Sequence, residues 1–217
     1  ILWLLQLTTK LIGGKGHGSI LSREGFLVMA DMAHEEGVFQ ENESKIIKNL
    51  LNFKEILAKN IMTPRTVMKA EDENTSVKDF FNKNLNLRFS RIPLYSKDAD
   101  NITGLVLKDE VFKEMALNNG AKTLGELKRN IIIVNRDMPI PELFEKLVES
   151  RNHMALVVDE YGSVNGLVTM EDVIETLLGL EIMDESDNVS DLQLMARKSW
   201  EVRAKKLGIL DKDKPLE

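Results

Sequence analysis

The feature that most constrains this chain is that it repeats itself. Residues 91–111, RIPLYSKDADNITGLVLKDEV, lie over residues 153–173, HMALVVDEYGSVNGLVTMEDV, at a constant offset of 62 with no gap. Gly104, Leu105, Val106 and Val111 fall on Gly166, Leu167, Val168 and Val173. Upstream, SVKDFFNKNL matches PIPELFEKLV once one residue is gapped, pairing Val77 with Ile140, Phe80 with Leu143 and Phe81 with Phe144. Each unit reads as strand, helix, strand, turn, strand, helix. The turns are SKDADN in the first unit and DEYGS in the second. A sheet of about three strands in about 60 residues cannot bury both faces alone, so the two units are expected to pack together as one folding unit.

Composition agrees with a packed, non-nucleic-acid-binding protein. Of 217 residues, 43% are hydrophobic and 29% charged, enough apolar material for one or two cores. The net charge of −6 argues against a broad basic face for phosphate backbones, so nucleic acid is not expected as a partner. No cysteine is present, which excludes thiolate nucleophiles and cysteine-based zinc sites and fits a reducing compartment.

Before the repeats, Ser22 is placed to cap a helix with Phe26, Met29, Ala30 and Ala33 on one face, ended by Gly37. A second helix from about Asn42 carries Ile46, Leu50, Phe53 and Leu57 as one stripe. The acidic residues Glu24, Asp31, Glu35, Glu36, Glu41 and Glu43 read as a solvated face, with divalent-cation attraction as the alternative. The opening ILWLLQLTTKLIGG is apolar for only about a dozen residues, short of the roughly 20 that span a bilayer. It suits either an amphipathic stretch or the end of a membrane helix.

Three motifs bear on chemistry. In GLVTMED, a strand ends at Thr169 and a helix begins, so the Thr169 hydroxyl and first-turn N–H groups can face a phosphate. The Asp172 carboxylate offers two acceptors of the kind ribose hydroxyls need. The same Thr-x-x-Asp spacing also describes a capping box. In IMTPRTVM, Pro64 holds Thr63 extended beside Arg65, whose guanidinium can fork onto phosphate or simply be solvated. In FSRIPLY, Ser90 and Arg91 precede a strand in which Pro93 marks an edge or a ligand-facing gap. No nucleophile stands beside a base among His17, His34 and His153, so no enzyme activity is expected. His153 reads as a surface or structural residue.

The run around Gly166, Thr169 and Asp172 resembles the nucleotide-binding copy of the CBS domain. The first unit departs from it, with Leu107 for the hydroxyl and Glu110 for the aspartate, so one working site per chain is expected. MTPR, SRIPLY and DEYGSVNGLVTMEDVIETLLGLE together resemble the CorC and hemolysin-like transporters, related to the cyclin M magnesium transporters. The resemblance covers about residues 22–187. It implies an α+β fold of tandem CBS domains, each a small sheet with packed helices, preceded by a short helical linker. The expected divisions are a membrane-proximal remnant (1–20), an acidic helical linker (21–58), a first CBS domain (59–118), a second (119–183) and a C-terminal linker and helix (184–217).

The resemblance further implies a cytoplasmic regulatory module of an inner-membrane divalent-cation transporter, acting with the transmembrane domain of the same full-length chain. It would bind ATP or AMP with Mg2+ and form a homodimer through helical faces such as Val173, Leu177 and Leu178. The implied nucleotide-binding residues are Thr63, Arg65, Phe89, Ser90, Arg91, Ile92, Pro93, Thr169, Glu171 and Asp172. Phe89 and Ile92 would enclose the base, although both also suit a core. Two other readings stay open: a nucleotide-free structural or cation-sensing pair, and a regulatory fragment of an enzyme.

Overall fold

A computed structural model describes residues 22–180 and Ser199. The expected membrane-proximal remnant and C-terminal helix lie outside the described residues apart from Ser199. Two compact units are present, one ending at Asn52 and one beginning at Phe53.

The first unit contains a helical hairpin. Helix α1, Arg23–Glu35, is capped by the Ser22 side chain, which accepts from the Gly25 N–H at 3.0 Å. It ends just before Gly37, whose φ of +74° suits a residue with no Cβ. Helix α2 spans Glu41–Asn52. The two are tied by the buried Ser44 hydroxyl donating to the Ala30 carbonyl at 3.1 Å and by an Asp31–Lys48 ion pair. The expected apolar faces are only partly used. Ala30 is buried, whereas Phe26, Met29 and Leu50 are exposed. The predicted stripe also breaks at Asn52, because Phe53–Glu55 tighten into a 3-10 turn and Leu57 is extended.

The second unit holds both repeats. After the short helix α3, Ala58–Ile61, come strands β1, Thr63–Pro64, and β2, Glu71–Asp72. The first repeat continues with α4, Val77–Lys83; β3, Arg91–Ser96; β4, Asp98–Leu107; and α5, Lys108–Ala116. The second consists of β5, Ile132–Asn135; α6, Ile140–Glu149; β6, Met154–Val158; β7, Val164–Thr169; and α7, Met170–Leu178. The element order matches the sequence expectation. Both middle pairs are antiparallel hairpins, and β2 and β5 pair parallel to β3 and β6. The first turn is tighter than SKDADN suggests: Ser96 already pairs with Asp98 across Lys97, whose φ is +65°.

Equivalent residues build equivalent cores. Val77, Phe80, Val106 and Val111 are buried in the first, and Ile140, Leu143, Val168 and Val173 in the second. Each such side chain contributes roughly 1.5–3 kcal/mol on full burial. Val173 is therefore core, not the dimer-facing surface expected of it, while Leu177 and Leu178 stay half-buried. Leu105 and Leu167, equivalent in the repeat, are buried with Met154 in a third cluster between the sheets.

The sheets are not independent, because the two repeats exchange their lead-in segments. The segment before the first repeat sends Ala58 into the second core, and β1 adds a fourth strand to the second sheet, giving the order β1-β7-β6-β5. Thr63 sits opposite Leu167 and Pro64 opposite Gly166. Reciprocally, the segment before the second repeat buries Leu124 in the first core, and Arg129 exchanges two backbone hydrogen bonds with Leu105, at 2.8 and 2.9 Å. The exchange explains the shared glycines. A Cβ on Gly166 would stand 2.2 Å from the Thr63 carbonyl oxygen, and one on Gly104 2.5 Å from that of Arg129. Only glycine admits the crossing backbone at these two places.

Candidate functional site

Thr169 leaves β7 in extended geometry and caps α7. Its hydroxyl accepts from the Asp172 N–H at 3.2 Å, while the Asp172 Oδ2 accepts from the Thr169 N–H at 2.6 Å and from its hydroxyl at 2.8 Å. The capping box is thus formed. The two that reach the carboxylate both fall on one oxygen, Oδ2. Desolvation raises the Asp172 pKa above the ordinary carboxylate value, opposed by the two Thr169 hydrogen bonds and reinforced by the nearby charge of Glu171. First-turn donors are partly used as well: the Met170 N–H goes to the His153 carbonyl and the Asp172 N–H to Thr169. Glu171 projects from the same turn and is exposed, and His153 is on the surface as expected.

β1 brings Thr63 and Arg65 to the same strand. Thr63 lies opposite Leu167, two residues before Thr169, and the Arg65 N–H donates to the Asn165 carbonyl at 2.9 Å. The Arg65 guanidinium is ion-paired to Asp100 at the start of β4, with both side chains about half exposed. The loop after Arg65 then reaches the FSRIPLY segment, where the Lys69 ammonium lies 6.0 Å from the centroid of the Phe89 ring.

Within that segment the residues part company. Phe89 and Ser90 are exposed, and the Ser90 carbonyl accepts from the first N–H of α5 at 3.0 Å. Arg91 is half-buried opposite Leu107. Ile92 is 4% exposed and belongs to the first core, the alternative that the sequence left open. Pro93 is buried in the central strand of the order β2-β3-β4, so the edge reading is corrected. Its partner Leu105 turns both backbone groups outward to Arg129, which makes Pro93–Leu105 a non-hydrogen-bonded pair. The missing proline N–H falls on the β2 flank, where pairing begins only at Leu94. A gap in the ladder, not an edge, accommodates it.

The equivalent place in the first repeat is closed. Leu107 offers no side-chain cap to α5, and Glu110 is held by Arg129, Nε to Oε2 at 3.1 Å and Nη2 to Oε1. Four residues that the motifs did not single out thus bear on the site: Lys69, Asp100, Arg129 and Asn165. A polar residue inside the apolar run VNGLV was a readable signal for Asn165. The others depend on long-range pairing and left none. Among the described residues, no group of three or more His, Cys, Asp or Glu could hold a metal ion, and no helix is long and apolar enough to cross a membrane.

Comparison with known proteins accords with this arrangement. The CBS domain family model matches residues 124–179. A UPF0053 protein of Synechocystis is 30% identical over 210 residues, which cover 96% of this chain and 60% of the relative, so the chain spans less than two thirds of that protein. The solved CBS domain of a bacterial CNNM/CorC family Mg2+ transporter is 32% identical, with a TM-score of 0.68 over 76% of this chain and 99% of that one. A structure of such a domain in complex with ATP is 31% identical, with a TM-score of 0.60 over 64% and 98% of the two chains. At 32% identity and with 99% of that solved relative covered, the chain belongs to the CNNM/CorC family and carries its CBS-domain region.

Proposed function

We propose that this chain is a regulatory module that binds an adenine nucleotide, MgATP or AMP, at the second repeat and dimerises. It would couple nucleotide occupancy to divalent-cation transport by a membrane domain of the same full-length protein, on the cytoplasmic side of the inner membrane. The observation that carries this reading is the asymmetry of two equivalent places. In the first repeat the acidic residue is closed by Arg129, whereas in the second, among the described residues, Asp172 faces no arginine and Arg65 is tied to an exposed partner on another strand.

The remaining chemistry fits an anionic nucleotide. Arg65, Lys69 and Arg91 supply positive charge, Phe89 an exposed aromatic face, and Asp172 an acceptor for ribose hydroxyls. Mg2+ would be held mainly by the phosphates, since no cluster of three metal-ligating side chains occurs among the described residues. The relative solved with ATP supports the same class of ligand. We assign the module binding and no catalysis.

Titration calorimetry with ATP, first in EDTA and then in excess Mg2+, tests the reading. Tighter binding with Mg2+ is expected. Asp172→Asn keeps an acceptor for the capping box but removes the charge, and should weaken binding by roughly 10- to 150-fold, about 1.5–3 kcal/mol for a charged hydrogen bond. Glu110→Ala should leave affinity unchanged. The completed capping box favours one other reading, a nucleotide-free structural pair, which the absence of any binding heat would leave standing. Light scattering over a concentration series tests dimerisation, and a persistent monomer at high micromolar concentration would refute it.

A further inference from the structure

The two hairpins carry a bulge at the same place, and the two bulges are finished differently. Val157 pairs with Gly166 and Val158 with Val164, leaving Asn165 as the extra residue of β7. Leu94 pairs with Gly104 and Tyr95 with Ile102, leaving Thr103 as its counterpart in β4. In the first repeat the bulge side chain is fully engaged: the Thr103 hydroxyl donates to Glu73 at 2.9 Å and accepts from the Lys128 ammonium at 3.3 Å. Lys128 arrives on the crossing lead-in segment, one residue before Arg129.

In the second repeat the crossing segment is β1. Thr63 takes the place opposite Leu167 that Arg129 takes opposite Leu105, so the residue standing where Lys128 stands is Met62. A thioether donates no hydrogen bond. The Asn165 Oδ1 is buried, with no hydrogen-bond partner among the described residues, while its backbone carbonyl holds the Arg65 N–H at the candidate site. An unpaired buried acceptor is costly, and such a group at a site calls for a donor.

We propose that Asn165 is a specificity-determining residue, its Oδ1 accepting a hydrogen bond from the exocyclic 6-amino group of the adenine base. The inference rests on the nucleotide reading above. Fully ionised phosphates donate nothing, and the ribose hydroxyls are assigned to Asp172. The amino group is then the donor an adenine nucleotide has left. A 6-oxo purine would instead set a carbonyl against the Asn165 oxygen, acceptor against acceptor.

The experiment compares ATP with ITP, which share sugar and phosphates and differ at position 6, on the parent chain and on Asn165→Ala. The parent should prefer ATP by at least roughly 10-fold, and Asn165→Ala should lose about that factor for ATP with ITP little changed, so that the ratio approaches one. Melting of the nucleotide-free variant should match the parent, because Oδ1 makes no bond to lose; a large drop would mark a structural role and overturn the proposal. Asn165→Thr copies the residue of the equivalent bulge and serves if the alanine variant fails to fold. Its hydroxyl both donates and accepts, so it should admit ITP. An unchanged ATP/ITP ratio in the variants, or a parental preference for ITP, overturns the assignment of Asn165 alone. Binding of neither nucleotide by the parent overturns it together with the nucleotide reading.

Discussion

Replacing Gly166 by alanine tests the exchange of lead-in segments directly. The added Cβ would stand 2.2 Å from the Thr63 carbonyl oxygen, 3.1 Å from the Thr63 carbonyl carbon and 3.2 Å from the Pro64 Cα. All three are backbone atoms, so no rotamer change relieves the clash and β1 must move off β7. Overpacking of this kind costs roughly 1–3 kcal/mol. Losing the adjacent bond from the Arg65 N–H to the Asn165 carbonyl adds about 0.5–1.5 kcal/mol. For a folding unit of this size, each kcal/mol shifts the melting temperature by about 2–4 °C, so Gly166→Ala should melt roughly 5–15 °C below the parent. Gly104→Ala should also destabilise, against the Arg129 carbonyl oxygen at 2.5 Å. Gly120→Ala is the control: its nearest neighbour would be the Lys78 Cβ at 3.1 Å, and its effect should be small. The assay is thermal unfolding followed by circular dichroism. If Gly166→Ala melts within about 2 °C of the parent, β1 does not cross β7 as described.

Other expectations follow from charge. Asp100 is the counter-ion of Arg65, and a surface pair of this kind is worth about 0–1 kcal/mol, so Asp100→Asn should free the guanidinium and tighten ATP binding by up to roughly 5-fold in calorimetry. Unchanged or weaker affinity would show that Arg65 does not need release. Hydrogen bonds from Lys128, Ser96 and Thr103 lower the Glu73 pKa from 4.5 to about 2. A depressed carboxylate contributes stability that is present above the unfolded pKa and lost as pH falls toward the folded one. The urea midpoints of parent and Glu73→Gln should therefore differ most above about pH 4.5 and converge as pH approaches about 2. A difference independent of pH would refute the charge assignment.

The repeat, the order of elements within it and most of the two cores are legible in the chain's local pattern, because these rest on periodicity and on caps that reach only three or four residues. Ser22 and Thr169 cap where their spacing predicts, and Val77, Phe80, Ile140 and Leu143 are buried as their alignment requires. Tertiary structure decided what depends on partners distant in the chain. Phe26, Met29 and Leu50 stay exposed, Val173 and Ile92 become core, and Pro93 enters a central strand, because burial follows from what packs opposite, which periodicity does not encode. The glycines illustrate the division. Both were visible as repeated residues, yet the reason for them is a carbonyl from a segment some 25 to 100 residues away, brought in by strand exchange. The candidate site divides in the same way. Thr169 and Asp172 are legible in one motif, whereas Arg129 on Glu110, and the Asn165 oxygen that has no partner among the described residues, follow from each repeat's lead-in segment completing the other repeat's sheet.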